Sequence, residues 1–386
     1  MVNYFAHVQV YDLIIFQTII LIIALSNIWV THRIRHHSPP QIFPTVSILL
    51  PVRNEERNIA KCVESLLEQD YPSFEILVLD DQSSDGTRSI LERIAVSKPR
   101  LRILDGIPPS SDQVGKNWAC SQLAQRAQGE LILFTDADTR HHKNTLRTIV
   151  TALMGENADL LTGFPHQEVR TWGEYLLVPF FSWILLSFIP LVLGYKIQRP
   201  ALSSAVGQLM LFKRDAYFAI GGHASVSSSI VEDMSLAGRI MAAKFRWRVS
   251  YVADLISCRM YQSSWEAVDG FTKNLFAVFE YRLLPFLFAY IWLVVMFWKP
   301  LIILGLMISG QSLQAQPVSL AVCLILSLLL WLIHYIEMDF PFGLAFLYPF
   351  TVLANVGVAF RSLVYSLGGR VTWKGRPIAR THWKWL

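Results

Sequence analysis

The sequence predicts an α/β fold, a mostly parallel sheet wound with helices, that lies between N-terminal and C-terminal transmembrane helices. Two observations carry this prediction. Short apolar runs alternate with helical patterns between residues 46 and 134, as in strands joined by crossover helices. Long uncharged runs flank this region, and only 16% of the 386 residues are charged, whereas soluble proteins carry about a quarter. We therefore expect a water-soluble domain that is attached to a membrane.

The first uncharged run, residues 13–30, is long enough to cross a bilayer. A basic cluster that includes Arg33 and Arg35 follows it at once, whereas a cleaved signal peptide has basic residues before its apolar core. Residues 1–38 are therefore expected to anchor the chain in the cytoplasmic membrane. Because basic flanks stay in the cytoplasm, the N-terminus would face outward. Residues 39–280 would then form a domain that faces the cytoplasm.

That domain is predicted to begin with strands and helices in strict alternation. The connections between them are short, as in sheets that carry helices on both faces. Ligands bind such sheets at the carboxyl ends of the strands, so the residues after each strand are the first candidates for a site. The predicted strands are residues 46–51, 74–79, 101–104 and 130–134, and the predicted helices are residues 58–68, 87–96 and 118–127.

Acidic clusters follow three of these four strands. Glu55 comes after the first strand, Asp80 and Asp81 end the second, and Asp136 and Asp138 follow the fourth. One such cluster could be a solvated loop, but three at strand ends predict a shared rim. Carboxylates two residues apart can bind Mg²⁺ or Mn²⁺, which commonly bridges to substrate phosphates. The sequence contains neither the P-loop motif nor the glycine fingerprint of dinucleotide dehydrogenases.

The runs at residues 46–56 and 78–87 resemble the opening motifs of the family 2 glycosyltransferases. Asp136-Ala137-Asp138 is similar to the metal motif of that family, and Glu232-Asp233 is similar to its later acidic pair. The resemblance covers roughly residues 45–280. It implies a GT-A fold, a nucleotide diphospho-sugar donor (a UDP-sugar being the usual one) and inversion at the anomeric carbon.

The resemblance also implies a role for each matching residue. Asp138 would bind the metal with Asp136 beside it, and Asp233 would be the general base, next to Glu232. A base is needed because a hydroxyl is a poor nucleophile until its proton is removed. An acidic pair favoured by a helix dipole is the structural alternative for Glu232-Asp233. The nucleotide sugar would be held by Pro51, Asn54, Glu55, Asp80, Asp81, Lys116 and Asp136.

Residues 115–120 resemble a segment of members that glycosylate lipid-like acceptors, and residues 258–261 and 270–276 are similar to small membrane members that act on hopanoid, carotenoid or sphingolipid acceptors. In the first, Lys116 could steady a diphosphate or be an ordinary loop lysine. The Gln/Arg-x-x-Arg-Trp motif of processive members has no counterpart here, and Arg259 or Lys273 could supply the missing charge. The implied acceptor is a hydroxyl or carboxyl of a membrane lipid. The alternatives are polysaccharide synthesis or priming, and a non-catalytic membrane scaffold.

The uncharged run at residues 175–194 limits the topology, because it lies between Asp138 and Asp233. A single crossing there would separate the two halves of one site, so we predict an apolar helix in the membrane interface, broken by Pro179 and Pro190.

Three more apolar stretches, 283–309, 317–336 and 341–360, predict membrane helices within residues 281–365, followed by a basic tail at residues 366–386. A tail without acidic residues favours anionic lipid as its partner over nucleic acid. If an even number of these stretches cross, the tail stays in the cytoplasm. The sequence leaves that number open.

Overall fold

The computed structural model describes residues 10–111, 113–310, 316–370, 372–373, 376–377 and 383–386. Within these residues, seven strands form one mixed, mostly parallel sheet, which confirms the predicted α/β fold. Two smaller sheets, β5-β10-β7 and β11-β12, bring the strands of the described residues to twelve. They are β1 (Val46–Val52), β2 (Phe74–Asp80), β3 (Leu101–Asp105), β4 (Leu131–Phe134), β5 (Thr139–His141), β6 (Leu160–Phe164), β7 (His166–Gln167), β8 (Met210–Lys213), β9 (Trp247–Tyr251), β10 (Ile256–Cys258), β11 (Thr372–Trp373) and β12 (Arg376–Pro377).

Helices cover the sheet and continue into an apolar bundle. The helices are α1 (Tyr11–Arg33), α2 (Ile59–Leu67), α3 (Thr87–Ala95), α4 (Gly115–Arg126), α5 (Thr145–Gly155), α6 (Trp172–Phe188), α7 (Leu191–Ile197), α8 (Arg214–Ala219), α9 (Glu232–Ala242), α10 (Ser264–Asn274), α11 (Leu283–Ile308), α12 (Pro317–Glu337) and α13 (Tyr348–Leu367).

The order of the main sheet is β3-β2-β1-β4-β8-β6-β9. The four strands that the sequence predicts are parallel neighbours on one side of it. Residues of β1 are buried on both faces, which explains why it reads as a continuous apolar run rather than an alternating one. Strand β8 runs antiparallel between β4 and β6, and the sequence did not predict it.

Helices α6 and α7 occupy the uncharged stretch between the two halves of the predicted site. They meet at a bend of 51°, close to Pro190. The strand before this pair, β6, is hydrogen-bonded to the strand after it, β8, in the same sheet. The chain therefore leaves the sheet before α6 and re-enters the same sheet after α7, so both ends of the α6–α7 segment lie at the sheet.

Four helical segments of the described chain are long and apolar enough to cross a membrane by length and composition: α1, α11, α12 and residues 342–367. Helices α1 and α12 run in the same direction. Tyr11 donates a hydrogen bond to the Gln316 side chain at one end, and His32 lies 2.8 Å from Glu337 at the other. Helix α11 runs the opposite way, with Ile303 packed near Leu13.

Helix α13 differs from the other three in its path. It begins halfway along α11, where the Trp298 indole N–H donates to the Pro349 carbonyl over 3.0 Å. It ends on the side of the α/β domain, where the Phe276 N–H donates to the Ser362 hydroxyl over 3.0 Å. The last residues contact the segment just before α11, where the Lys384 N–H donates to the Tyr281 carbonyl. Among the described residues, α11 thus runs away from the domain and α12 runs back toward it. Helix α13 starts halfway along α11 and also ends beside the domain.

Candidate functional site

The loops after β1 and β2 form one end of the site, and hydrogen bonds fix them to each other. Asn54 takes a left-handed conformation with φ of 53°, which aims its side chain across the gap. Its amide oxygen accepts the Ser84 N–H over 2.8 Å, and its own N–H donates to the Ser83 hydroxyl over 3.0 Å. Asp80 accepts the Ser83 N–H over 3.0 Å, so this carboxylate holds the loop in place.

The predicted nucleotide-binding residues separate into two groups. Asn54 and Glu55 line a cavity at the rim of the sheet. Pro51, Asp80 and Asp81 do not line that cavity, and Asp81 is almost fully buried. The Asp81 N–H donates to the Val52 carbonyl over 2.8 Å, which ties β2 to β1 at their carboxyl ends. The structure therefore places these three predicted residues outside the lining of the cavity.

Asp136 and Asp138 stand in the turn between β4 and β5 and line the same cavity. The Thr139 hydroxyl donates to the Asp136 carbonyl over 2.7 Å, which closes this turn. Burial raises the pKa of Asp138 to about 7, and the charges of Asp136 and Glu55 add to that effect. The Asp138 Oδ1 atom is buried and accepts no hydrogen bond from the described residues.

That orphaned oxygen and its carboxylate neighbour suit a hard divalent cation, which prefers oxygen ligands. In the part of the chain that the structure describes, no group of three or more His, Cys, Asp or Glu residues forms a complete metal cage. Mg²⁺ commonly takes only one or two protein carboxylates and completes its shell with water and substrate phosphates. The residues present therefore fit a cation that is shared with a diphosphate.

Lys116 connects the turn that carries Asp136 and Asp138 to the later acidic pair, Glu232 and Asp233. It lies in the first turn of α4, and its Nζ is 2.8 Å from Asp136 Oδ1 and 3.0 Å from Glu232 Oε1. Burial disfavours the charged lysine, but the two carboxylates outweigh this and hold its pKa well above the ordinary value. The lysine is therefore a fixed positive charge between the two halves of the site.

Asp233 lies in the first turn of α9, and two backbone N–H groups orient its carboxylate. Gly207 donates to Oδ2 over 3.0 Å, and Met234 donates to Oδ1 over 2.8 Å. Burial and the adjacent Glu232 raise the pKa of Asp233 to about 7, against the opposing effect of Lys116. A carboxylate with a pKa near neutrality is suited to accept a proton in catalysis.

Gly207 lies between these groups, and sequence reasoning missed it. A Cβ on this residue would stand 3.1 Å from Lys116 Nζ and 3.6 Å from Glu232 Oε1. The loop that carries it precedes β8, whose antiparallel place beside β4 brings it to the rim. The sequence around Gly207 carries no motif that would have revealed this position.

One cavity of about 940 Å³ is lined by most of these groups, namely Asn54, Glu55, Lys116, Asp136, Asp138, Gly207, Glu232 and Asp233. Its charged end carries more acidic than basic groups among the residues described. The acidic lining residues are Glu55, Glu56, Asp85, Asp136, Asp138, Glu232, Asp233 and Glu266, and the basic ones are Arg57, Lys116 and Lys273. Such an excess of carboxylates repels an anionic donor unless a cation is bound with it.

The other end of the cavity is apolar and lies against the membrane helices. Helix α6, which the sequence placed in the membrane interface, supplies much of this wall. The apolar lining residues here are Phe16, Phe180, Phe181, Ile184, Leu185, Phe188, Phe288, Ala289, Trp292 and Leu293. We call this part of the cavity the apolar limb.

Arg259 and Lys273, the two candidates for a missing positive charge, have different surroundings. Arg259 lies 3.6 Å from Glu174, which is 1% exposed, in the first turn of α6, and the Arg259 N–H donates to the Asp138 carbonyl over 3.4 Å. Lys273 lines the cavity on α10. Arg259 therefore links the turn that carries Asp138 to α6, while Lys273 faces the cavity.

Comparison with known proteins identifies the family of the sheet domain. Residues 47–221 match the family model described as glycosyl transferase family 2. These residues are a family 2 glycosyltransferase domain. The matched segment of this glycosyltransferase includes Asp136, Asp138 and Gly207, whereas Glu232 and Asp233 lie just beyond it.

Two curated relatives and one solved structure resemble the chain. It is 33% identical to the glycosyltransferase AglE of Haloferax volcanii over 31% of this chain and 39% of that protein. It is 26% identical to the 4,4'-diaponeurosporenoate glycosyltransferase of Staphylococcus aureus over 60% of each chain. The mannosyltransferase PcManGT of Pyrobaculum calidifontis, solved with GDP-Man and Mn²⁺, covers 93% of this chain and 99% of its own at 19% identity and a TM-score of 0.53. The last likeness shows the fold.

Proposed function

We propose that this family 2 glycosyltransferase moves a hexose from a nucleotide diphospho-sugar to a hydroxyl or carboxyl of a membrane lipid, with inversion at the anomeric carbon. One observation carries the proposal: a single cavity runs from the carboxylates at the sheet rim to the apolar walls of α6 and α11. A polar donor and an apolar acceptor can meet only in a cavity that has both kinds of wall.

The donor end would hold the nucleotide sugar beside Asn54 and Glu55. A divalent cation, Mg²⁺ or Mn²⁺, held by Asp138 with Asp136 beside it, would neutralise the charge that grows on the diphosphate leaving group. The unpartnered Asp138 oxygen and the excess of carboxylates support this requirement for a cation. Lys116, fixed between Asp136 and Glu232, can add a positive charge on the same side.

Asp233 would act on the acceptor. The acceptor oxygen forms a bond to the anomeric carbon while the bond from that carbon to the diphosphate oxygen breaks, and the electron pair leaves with the diphosphate. The proton of an acceptor hydroxyl passes to Asp233, whose carboxylate the Gly207 and Met234 N–H groups hold in one orientation. A carboxylate acceptor is already ionised and needs no base. The name of the Staphylococcus relative specifies such an acid acceptor.

The membrane side of the proposal follows from the path of the chain. The ends of α1 and α12 and the start of α11 meet the catalytic domain on one side of the bundle, and a basic cluster follows α1 there. Basic flanks favour the cytoplasmic side, so the domain would lie on the inner face of the cell membrane. Polysaccharide synthesis is less favoured, because the walls beyond Asp233 are apolar whereas a growing polysaccharide is polar.

The test uses the purified protein in lipid vesicles that contain a total lipid extract. Radiolabelled UDP-glucose and GDP-mannose are supplied in turn with Mn²⁺, and label is counted in the organic phase. We expect transfer from one donor, loss of transfer with a chelator, and loss in Asp138→Asn. The exposed Asp215 of α8 offers a matched control, because Asp215→Asn removes a carboxylate outside the cavity. Absence of lipid labelling with every donor, or full activity of Asp138→Asn, would contradict the proposal.

A further inference from the structure

The apolar limb extends from the catalytic groups into the helix bundle. Leu293, the lining residue farthest along α11, lies about 15 Å beyond the start of that helix at 1.5 Å per residue. The walls come from α1, α6 and α11, which are distant in sequence and meet only in the folded protein. The limb therefore reaches well into the bilayer if α11 crosses it.

An aromatic pair closes the gap between α1 and α11 beside this limb. The rings of Phe16 and Trp292 meet edge to face with centroids 5.3 Å apart, and Phe188 lies 6.2 Å from Phe16. On the outer surface Phe288, which is 70% exposed, stacks parallel to Trp292 at 6.3 Å. The Trp292 indole N–H donates no hydrogen bond to the residues that the structure describes, so no polar contact fixes this ring.

On the side away from the domain, hydrogen bonds of Gln17 on α1 close the gap between α1 and α11. There the Gln17 amide donates to the Met296 carbonyl over 3.4 Å and to the Ser327 hydroxyl over 2.8 Å. Leu13 and Ile303 pack in a small apolar cluster beyond these bonds. Nearer the domain, α1 packs against α6 while α11 packs against α13. The helices α1 and α11 are thus joined by the Gln17 hydrogen bond on the side away from the domain. On the domain side of that bond they meet through Phe16 and Trp292.

We propose that this gap is a lateral portal, gated by Phe16 and Trp292, through which the hydrocarbon chain of the acceptor passes from the bilayer into the apolar limb. The inference rests on the proposed function, because it assumes that Asp233 acts on a lipid head group. The occupant is a hydrocarbon chain because the limb has aromatic and aliphatic walls and is continuous with the cavity at Asp233. A lipid that entered this way would never leave the bilayer completely.

A pair of substitutions on one turn of α11 tests the portal. Ala289 lines the limb, whereas Ile291 is 61% exposed and does not line it. Ala289→Phe adds bulk inside the limb, and Ile291→Phe adds a ring on the outer face. We expect Ala289→Phe to lower lipid glycosylation at least about tenfold, because added volume in a packed wall leaves no room for the chain. Ile291→Phe should match the wild type, and equal activity of the two variants would overturn the portal.

A second measurement uses the wild-type protein and so does not depend on how a variant folds. A single-chain amphiphile with a diazirine near the end of its hydrocarbon chain is photolysed with the protein in phosphatidylcholine vesicles. We expect adducts on Phe181 or Ile184, which line the limb from α6. Adducts on exposed residues such as Ile291 without any on Phe181 or Ile184 would overturn the portal.

These outcomes separate the portal from the function on which it rests. If wild-type protein glycosylates lipid and Ala289→Phe is as active as Ile291→Phe, only the portal is wrong. If wild-type protein labels no lipid with any donor, the proposed function is wrong whatever the photolabel shows. Binding of Mn²⁺ with the nucleoside diphosphate of the active donor, followed as a thermal shift, should be equal in the two phenylalanine variants and shows that both are folded.

Discussion

Replacing Asp233 by Asn should abolish most of the transfer to a hydroxyl acceptor. Asn has nearly the same shape but cannot accept the proton. Its amide oxygen can still accept one of the two N–H groups that Asp233 binds, from Gly207 and Met234, while the other donor loses its partner. The expected cost in stability is about 1–3 kcal/mol, since one buried donor is left unsatisfied. Folding and donor binding should survive this cost.

The magnitude of the kinetic effect follows from the role of a general base. Such a base contributes about 10²–10⁴-fold, so kcat/KM should fall by that factor, or about 3–5 kcal/mol in the barrier. Because the pKa of Asp233 is raised to about 7, the base is protonated below that pH and ionised above it. Wild-type kcat/KM should therefore rise about tenfold per pH unit up to that midpoint and level off above it. The variant should lack this rise.

The assay is the transfer of labelled sugar to lipid at saturating Mn²⁺ over a range of pH. Asp215→Asn removes an exposed carboxylate from the first turn of α8 and should keep both the rate and the midpoint. If Asp233→Asn keeps more than about a tenth of wild-type kcat/KM together with the same midpoint, Asp233 is not the base. A carboxylate acceptor would produce that result, since it reacts without losing a proton.

Three more substitutions test the groups around this carboxylate. Lys116→Met should shift the midpoint of the pH profile upward, because the lysine charge lowers the pKa of Asp233, whereas Lys213→Met, which breaks a similar ion pair outside the cavity, should leave it unchanged. Gly207→Ala should lower kcat/KM by about tenfold without a change in fold, measured by circular dichroism, because the new methyl crowds the lysine. Arg259→Gln removes the guanidinium that lies 3.6 Å from the buried Glu174, whose other oxygen keeps the Arg170 and Thr171 N–H groups, and should cost about 1–3 kcal/mol of stability in thermal unfolding. If the double variant with Glu174→Gln is no more stable than Arg259→Gln, that ion-pair reasoning is wrong.

The donor half of the site was predictable because its chemistry is local in sequence. Asn54 and Glu55 follow β1, Asp80 ends β2 with Asp81 next to it, and the turn with Asp136 and Asp138 follows β4. Parallel strands bring their carboxyl ends to one rim, so strand order alone placed these groups together. The three loops could be assigned without knowing the angle of any side chain.

The sequence could not show which of these residues face the substrate. Asp81 is almost fully buried behind the loop, while Asn54 lines the cavity, although both follow parallel strands. The difference depends on left-handed backbone at Asn54 and on hydrogen bonds between two loops. Such choices are set by tertiary contacts rather than by residue type.

By itself the sequence determined the wound sheet, its acidic rim and the presence of helices apolar enough for a membrane. Each of these depends on local periodicity or on residues next to a strand, which short stretches of chain already contain. Only the tertiary structure decided how Lys116 meets Glu232, how β8 carries Gly207 to the rim, and how Phe16 and Trp292 come together beside one cavity. Those contacts join residues that lie far apart in the chain, and burial of apolar surface between whole elements fixes them, which no local pattern records.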